Sequence, residues 1–276
     1  MDGYTFKCLK TTSKTTRKTI VDFVYENFWH HGKEPISTLL TEPGEHPFPK
    51  ATNAYICDEL VPGNEEDEGK ICCVFLAPGV DVNSKDLDAE HIAAYLDGKI
   101  QNAADFLTDV EKGPTRPPTF CQFWPMTWDE FVSGPSRNSK RFGKSRPNTA
   151  LFDDLCKMGQ KEFYQRLVEK KDDRPILFIK QQCTSAAHTK KGLGTKIAQE
   201  MLLEGKSRGV KHVLVEATGK GTHKIYSKLG FEEIGSVDYR EVGGELYPVN
   251  ATNITVAATH EKNILFYLDL SHYSSS

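Results

Sequence analysis

The sequence predicts an α/β (α+β) fold, and three observations predict it. From residue 149 onward the apolar periodicity runs α-β-α-β-α-β-β. A glycine turn, "KGLG", joins a strand-like segment at 174–183 to a helix-like segment that Gly209 ends. Strand-like segments also stand near both ends, "YTFKCLK" (Tyr4–Lys10) and "KNILFYLDL" (262–270).

Taken in order, Tyr4–Lys10 alternates as a first strand. Thr12 and Ser13 can cap the helix that follows. In "RKTIVDFVYENFWHH", Ile20, Phe23, Val24 and Phe28 recur at helical spacing, and Gly32 and Pro35 stop the run. The apolar runs 51–60 and 70–80 flank "VPGNEEDEG" and predict a hairpin with an acidic, solvated turn. A helix is expected near 88–110. The chain is expected to form one domain, 1–276, with an insertion at about 81–148 whose structure the pattern does not define. That span holds Phe123, Trp124, Trp128 and Phe131 among prolines, and ends in the basic run Arg137, Lys140, Arg141, Lys144, Arg146. From 149 the pattern sharpens: a helix to about Glu169, a strand at 174–183, and a helix carrying Leu193, Ile197, Met201 and Leu202. Then come a strand at 211–218, a short helix closed at Gly230, a strand from Phe231 and the final strand.

Composition narrows the function classes. Acidic residues outnumber basic ones by 38 to 35, which gives no overall pull toward nucleic acid or membrane. No apolar run reaches membrane-spanning length, and the N-terminus lacks a secretory apolar region. The seven cysteines form no CxxC pair and read as reduced thiols, so a cytoplasmic setting is expected. His30, His31, His188 and His223 form no metal-binding spacing, so no metal is expected.

The glycine turn carries the chemistry. Its amides open a helix, where unpaired N–H groups and the helix dipole favour an anion. Glycine lets a ligand approach the backbone, and Lys190 and Lys191 add positive charge. A P-loop is excluded because its upstream glycine is missing, and a dinucleotide fingerprint because Ile197 stands at the third glycine position.

The stretch "HTKKGLGTKIAQEMLLEGKSRGVKHVLVEATGKGTHKIYSKLGFEEIG" resembles the core of the GCN5-related N-acetyltransferase superfamily, over about 174–240. The "YSKLGFEEIG" segment is similar to that family's "YxKLGFxxxG". Thr189 stands where the family has Arg or Gln. The resemblance implies a mixed central sheet with a splayed strand that binds acetyl-CoA, and helices on both faces. It implies that the pantetheine arm lies along Gln182, Cys183 and Thr184. The diphosphate would lie on Thr189, Lys190, Lys191, Gly192, Leu193, Gly194 and Thr195. A weaker resemblance joins "NFWHHGKEPIS" to the "FFxxEPL" segment of insect-type arylalkylamine N-acetyltransferases. It implies Glu34 as general base, with Lys33 where those enzymes have aspartate. Thr218 and Thr222 fall where that group carries two serines, and Tyr226 where the wider superfamily protonates the leaving thiolate. Phe123, Trp124 and Trp128 are expected to line the amine pocket. The expected reaction is direct acetyl transfer to a primary amine, an arylalkylamine above others. Polyamines, aminosugars, protein amines and a CoA-binding module without catalysis stand as alternatives. A monomer or weak dimer is expected.

Overall fold

The computed structural model describes residues 3–10, 12–30, 61–63, 67, 69–84, 86–103, 174–239, 241–242, 245–246 and 260–274. Its frame is a seven-stranded mixed sheet in the order β1-β2-β3-β4-β5-β9-β6. The strands are β1 (Thr5–Leu9), β2 (Lys70–Leu76), β3 (Ile92–Gln101), β4 (Ile176–Thr184), β5 (His212–Ala217), β6 (Glu232–Asp238) and β9 (Lys262–Asp269). A small ribbon pairs β7 (Glu241–Val242) with β8 (Glu245–Leu246). Neighbours in the main sheet are antiparallel, except that β4 and β5 run parallel.

Helices cover both faces. On one, α1 (Lys14–Val24) starts at Ser13, whose hydroxyl accepts from the Thr16 amide at 3.1 Å. It buries Thr16, Ile20, Phe23 and Val24, a single stripe, against Cys72, Val74 and Tyr95. A wider π-type turn, Tyr25–His30, continues it and packs on β4. On the other face, α2 (Leu193–Ser207) buries Leu193, Ile197, Ala198, Met201 and Leu202 against Leu177, Ile179, Val213 and Val215. Gly209, at φ 78°, and Gly230, at φ 83°, end α2 and α3 (Lys220–Lys228) in the left-handed conformation that glycine favours.

One expectation is corrected. No helix begins near residue 88: beyond a short 3-10 turn, Ala89–His91, the chain forms β3, a central strand paired with β2 and β4. Residues Ile92–Gly98 are all buried, so no in–out alternation marks the strand, and Ala93 and Ala94 bias the run toward helix. The first part of the span read as an insertion thus belongs to the core. The 51–60 arm of the expected hairpin lies outside the described residues. The 70–80 arm begins as β2, which pairs with β1 over Cys72–Leu76 and with β3 over Lys70–Leu76.

The feature that positions the site lies between β4 and β5. Their pairing starts at Ile176↔His212 and stops at Ile179↔Val215. Beyond it β4 follows β3, and β5 follows β9. Lys180 is an extra residue on β4, since Gly98 pairs with Ile179 while Asp97 pairs with Gln181. This bulge turns β4 away from β5 and opens a gap in the sheet.

Candidate functional site

The α2 face of the gap is built around a helix start. Gly192 is the N-cap of α2 at φ 76°, and as a glycine it offers the first-turn amides no side-chain cap. A Cβ at Gly192 would meet nothing within 4 Å, so the approach to those amides is open. Lys190 just before it is also left-handed, at φ 60°, which a non-glycine residue adopts at some strain. These amides and the helix dipole fit a phosphate group. Thr189 turns its hydroxyl to the Ala186 carbonyl at 3.2 Å, a local bond in a solvent-exposed turn. Lys191 donates to the Tyr4 hydroxyl at 2.9 Å and lies 5.6 Å from that ring's centre. Tyr4 in turn bonds His188 Nδ1 at 2.9 Å. Burial and the Lys191 charge hold His188 below its usual range. Lys191 is thus tied to Tyr4, the residue just before β1.

Deeper on this face, Gln182 bridges two elements. Its Nε2 donates to the Gly194 carbonyl at 2.6 Å, and its Oε1 accepts from the Tyr226 hydroxyl at 2.8 Å. Tyr226 is 1% exposed and packs edge-on against Phe231. Burial, with a smaller push from Asp97, raises its phenol well above the usual value, so it is neutral and carries its proton. A Cβ at Gly194 would come 3.0 Å from Ile225 Cδ1, so α2 and α3 pack closely there and a larger residue would have to push that methyl aside. Thr222 caps α3: its hydroxyl donates to the Gly219 carbonyl at 2.7 Å and accepts from the Gly219 amide at 3.4 Å. The Thr218 carbonyl accepts from the Tyr239 hydroxyl at 2.7 Å, and its side chain is half-buried.

On the α1 face, polar groups stand where apolar ones would be ordinary. Asp97 is 0% exposed. It accepts from the Tyr95 hydroxyl at 2.6 Å and from the Gln181 amide N–H at 2.8 Å. Burial pushes its carboxyl up to about 7, against the smaller pull of those two bonds and of Lys180. Gln181, also 0% exposed, has no partner for Oε1 or Nε2. Across the gap, Glu216 of β5 accepts from Asn263 Nδ2 of β9 at 2.6 Å, and the buried Asn263 Oδ1 has no partner. Cys183 is buried among Tyr95, Val74 and Phe23, and burial raises its thiol, which disfavours the thiolate a nucleophile needs.

The structure therefore brings Gln182, Cys183, Thr184, Tyr226 and the 189–195 turn to one gap, with Thr218 and Thr222 where β5 leaves it for α3. Glu34, Phe123, Trp124 and Trp128 lie outside the described residues. Sequence reading missed Asp97, Gln181, Glu216 and Asn263. A lone acid inside the apolar run "IAAYLDGKI" and the polar pair closing "ILFIKQQC" were the available signals. Among the described residues, no group of His, Cys, Asp or Glu could hold a metal, and no helix is long and apolar enough to cross a membrane.

Comparisons with known proteins agree with this geometry at the level of the fold. No family model matches the chain, and no curated protein matches it. Solved structures do. Arylalkylamine N-acetyltransferase 2 from Aedes aegypti is 16% identical, with a TM-score of 0.58 over 98% of this chain and 100% of that one. The Drosophila melanogaster polyamine N-acetyltransferase that forms N-acetylagmatine is 14% identical, with a TM-score of 0.57 over 96% and 100%. An agmatine N-acetyltransferase mutant scores 0.57 at 14% identity, over 97% and 100%. The chain has the fold of the GCN5-related N-acetyltransferases.

Proposed function

We propose that this chain transfers an acetyl group from acetyl-CoA to a primary amine, in a complex that holds both at once. The observation that carries the reading is the gap between β4 and β5 with the uncapped start of α2 at its mouth. That pairing offers an anion site next to an open strand edge. The amides of Gly192–Thr195, with Lys190 and Lys191, would hold the diphosphate of CoA. The exposed edge of β4 at Gln182–Thr184 would hold the pantetheine amides. CoA supplies the acetyl group as a thioester.

The residues of this chain do the rest. The acceptor enters as an ammonium and loses a proton before it attacks, and Glu34 takes that proton directly or through water. The C–N bond forms as the C–S bond breaks, and the thiolate takes a proton. Tyr226 or the Thr218 and Thr222 hydroxyls return it. Tyr226 now gives its proton to Gln182, so donating to sulfur requires that bond to yield. Backbone N–H groups on the free edge of β4 would stabilise the developing oxyanion. An arylalkylamine acceptor rests on Phe123, Trp124 and Trp128 as an aromatic wall.

The test is thiol release from acetyl-CoA with tyramine, dopamine, octopamine, serotonin, spermidine and glucosamine. Release with at least one amine is expected. Glu34→Ala should then lower the rate about 100-fold or more, with CoA still raising the melting temperature. Stabilisation by CoA without release would leave a CoA-binding module. If there is no release and CoA does not stabilise the protein, the reading of the 189–195 turn is overturned.

A further inference from the structure

Away from the gap, two cysteines face each other at the edge of the sheet. Cys8 of β1 and Cys73 of β2 are direct cross-strand partners. Both lie on the α2 face. Cys73 is 0% exposed in the core under that helix, and Cys8 packs against the same core while staying half-buried. Phe6 and Phe75, the neighbouring pair on this face, meet edge-on with ring centres 5.7 Å apart, in keeping with the same register. Cys72 is the partner of Leu9 and belongs to the core on the α1 face, so it points away from Cys8. β1 is the outer strand of the sheet, which puts the Cys8 sulfur at a rim.

The two thiols stand in different surroundings. A hydrogen bond from the Cys73 thiol holds Cys8 below the ordinary thiol range; Arg208 adds to this, and burial and Glu204 oppose it. Arg208 caps the C-terminal end of α2 and brings Nη2 to 3.8 Å from Cys8 Sγ. Its guanidinium is held there by Glu204 at 2.7 Å and by the Lys70 carbonyl at 3.1 Å. The bond that Cys73 makes to Cys8, and then burial, push Cys73 up, so it keeps its proton. Directly opposed residues of antiparallel strands stand about 4.5–5.5 Å apart at Cα, inside the range of about 4.4–6.8 Å that a disulfide spans. A bond between these sulfurs therefore needs side-chain rotation and no slip of either strand.

We propose that Cys8 and Cys73 are a reversible thiol–disulfide pair, oxidised by hydrogen peroxide, that staples the edge strand β1 to β2. Cys8 is the reactive thiol, Arg208 favours its thiolate, and Cys73 resolves the product. The Cys8 thiolate attacks the O–O bond of the peroxide. One oxygen joins the sulfur as a sulfenic acid, and the other leaves as hydroxide and takes up the proton that Cys8 released. The Cys73 sulfur then attacks the sulfenic sulfur. The S–S bond forms, the S–O bond breaks, and the oxygen leaves as water with the Cys73 proton. Two thiols lose two electrons, and the peroxide becomes two waters. The closed loop, from residue 8 to residue 73, restricts the unfolded chain. At a half-exposed rim a small thiol can reduce the bond again.

The experiment treats the reduced full chain with hydrogen peroxide, alkylates the remaining thiols and maps the products by mass spectrometry. A linked pair of peptides carrying Cys8 and Cys73, lighter by two hydrogens and separated by dithiothreitol, is expected. Cys8→Ser should abolish the link, and Cys72→Ala should keep it. In Cys73→Ala, dimedone should trap Cys8 as its sulfenic acid. Arg208→Gln should slow the oxidation of Cys8 about threefold. The oxidised wild type should melt about 5 °C above the reduced one. Melting of the reduced variants checks that each is folded. Should the buried Cys73→Ala fail, the wild-type map against Cys8→Ser and Cys72→Ala decides. No bond between Cys8 and Cys73, or a bond from Cys8 to another cysteine in its place, overturns the proposal. A bond that leaves the melting temperature unchanged overturns the stapling of β1, and an unchanged rate in Arg208→Gln overturns the part given to Arg208.

Discussion

Gln181 and Gln182 are neighbours of the same type, on one strand, and their surroundings are opposite. Gln182 points toward α2 and α3 and has both ends of its amide bonded, to Gly194 and Tyr226. Gln181 points to the α1 face, is wholly buried, and has neither end bonded. One glutamine ties β4 to both helices, and the other makes no bond at either end of its amide. A satisfied amide holds the α2 face in one arrangement. An unsatisfied one is tolerated where a ligand completes it.

The largest expected effect comes from the charge beside Gln181. The folded value of Asp97, about 7, lies above its ordinary 3.8, so the folded state holds the proton more tightly than the unfolded chain. Asp97 therefore costs nothing at low pH and becomes destabilising as pH rises through 4 to 7. The loss over that interval is about 3 kcal/mol. Asp97→Asn should flatten that part of the stability profile in urea unfolding at several pH values. A parallel profile for the variant would mean that the carboxyl is not buried as described.

A smaller effect should follow from disturbing the bulge that separates the two glutamines. A Cβ at Gly98 would lie 2.8 Å from the Phe178 carbonyl oxygen, a backbone atom that cannot swing away. Gly98→Ala should lower stability by about 2 kcal/mol, seen as a lower melting temperature. No loss would show that β3 and β4 are not packed this closely at Gly98.

The smallest effect is the most direct on the contrast. Gln182→Leu leaves the Tyr226 hydroxyl without its acceptor and should cost about 1–2 kcal/mol. Gln181→Leu removes two unmatched polar atoms and should be neutral, or stabilising by up to about 1 kcal/mol. Denaturant midpoints of the two variants give the comparison. If both lose equally, the two faces do not differ in the way described.

Much of the α2 side of the gap was legible from residues alone. The sequence "ILFIKQQCTSAAHTKKGLG" holds a strand, a turn and a helix start in consecutive residues, and local chemistry decides each. Gly192, Gly209 and Gly230 could be read as turn positions because positive φ is a local need. The α1 side was not legible. Its four polar residues come from β3, β4, β5 and β9, and only strand order and the bulge bring them together. β3 itself was misread, since a strand buried on both faces shows no period.

The sequence by itself determined the element order from β4 onward, the helix start able to hold an anion, and the tyrosine placed on α3. These depend on residues within a few positions of one another, where propensity, capping and glycine conformation act. Only the tertiary structure decided that β3 lies beside β4, that Lys180 bulges, and that Asp97 and Gln181 share a face with Glu216 and Asn263. Those facts rest on pairing between distant segments, and a shift of one residue would have turned each side chain to the opposite face.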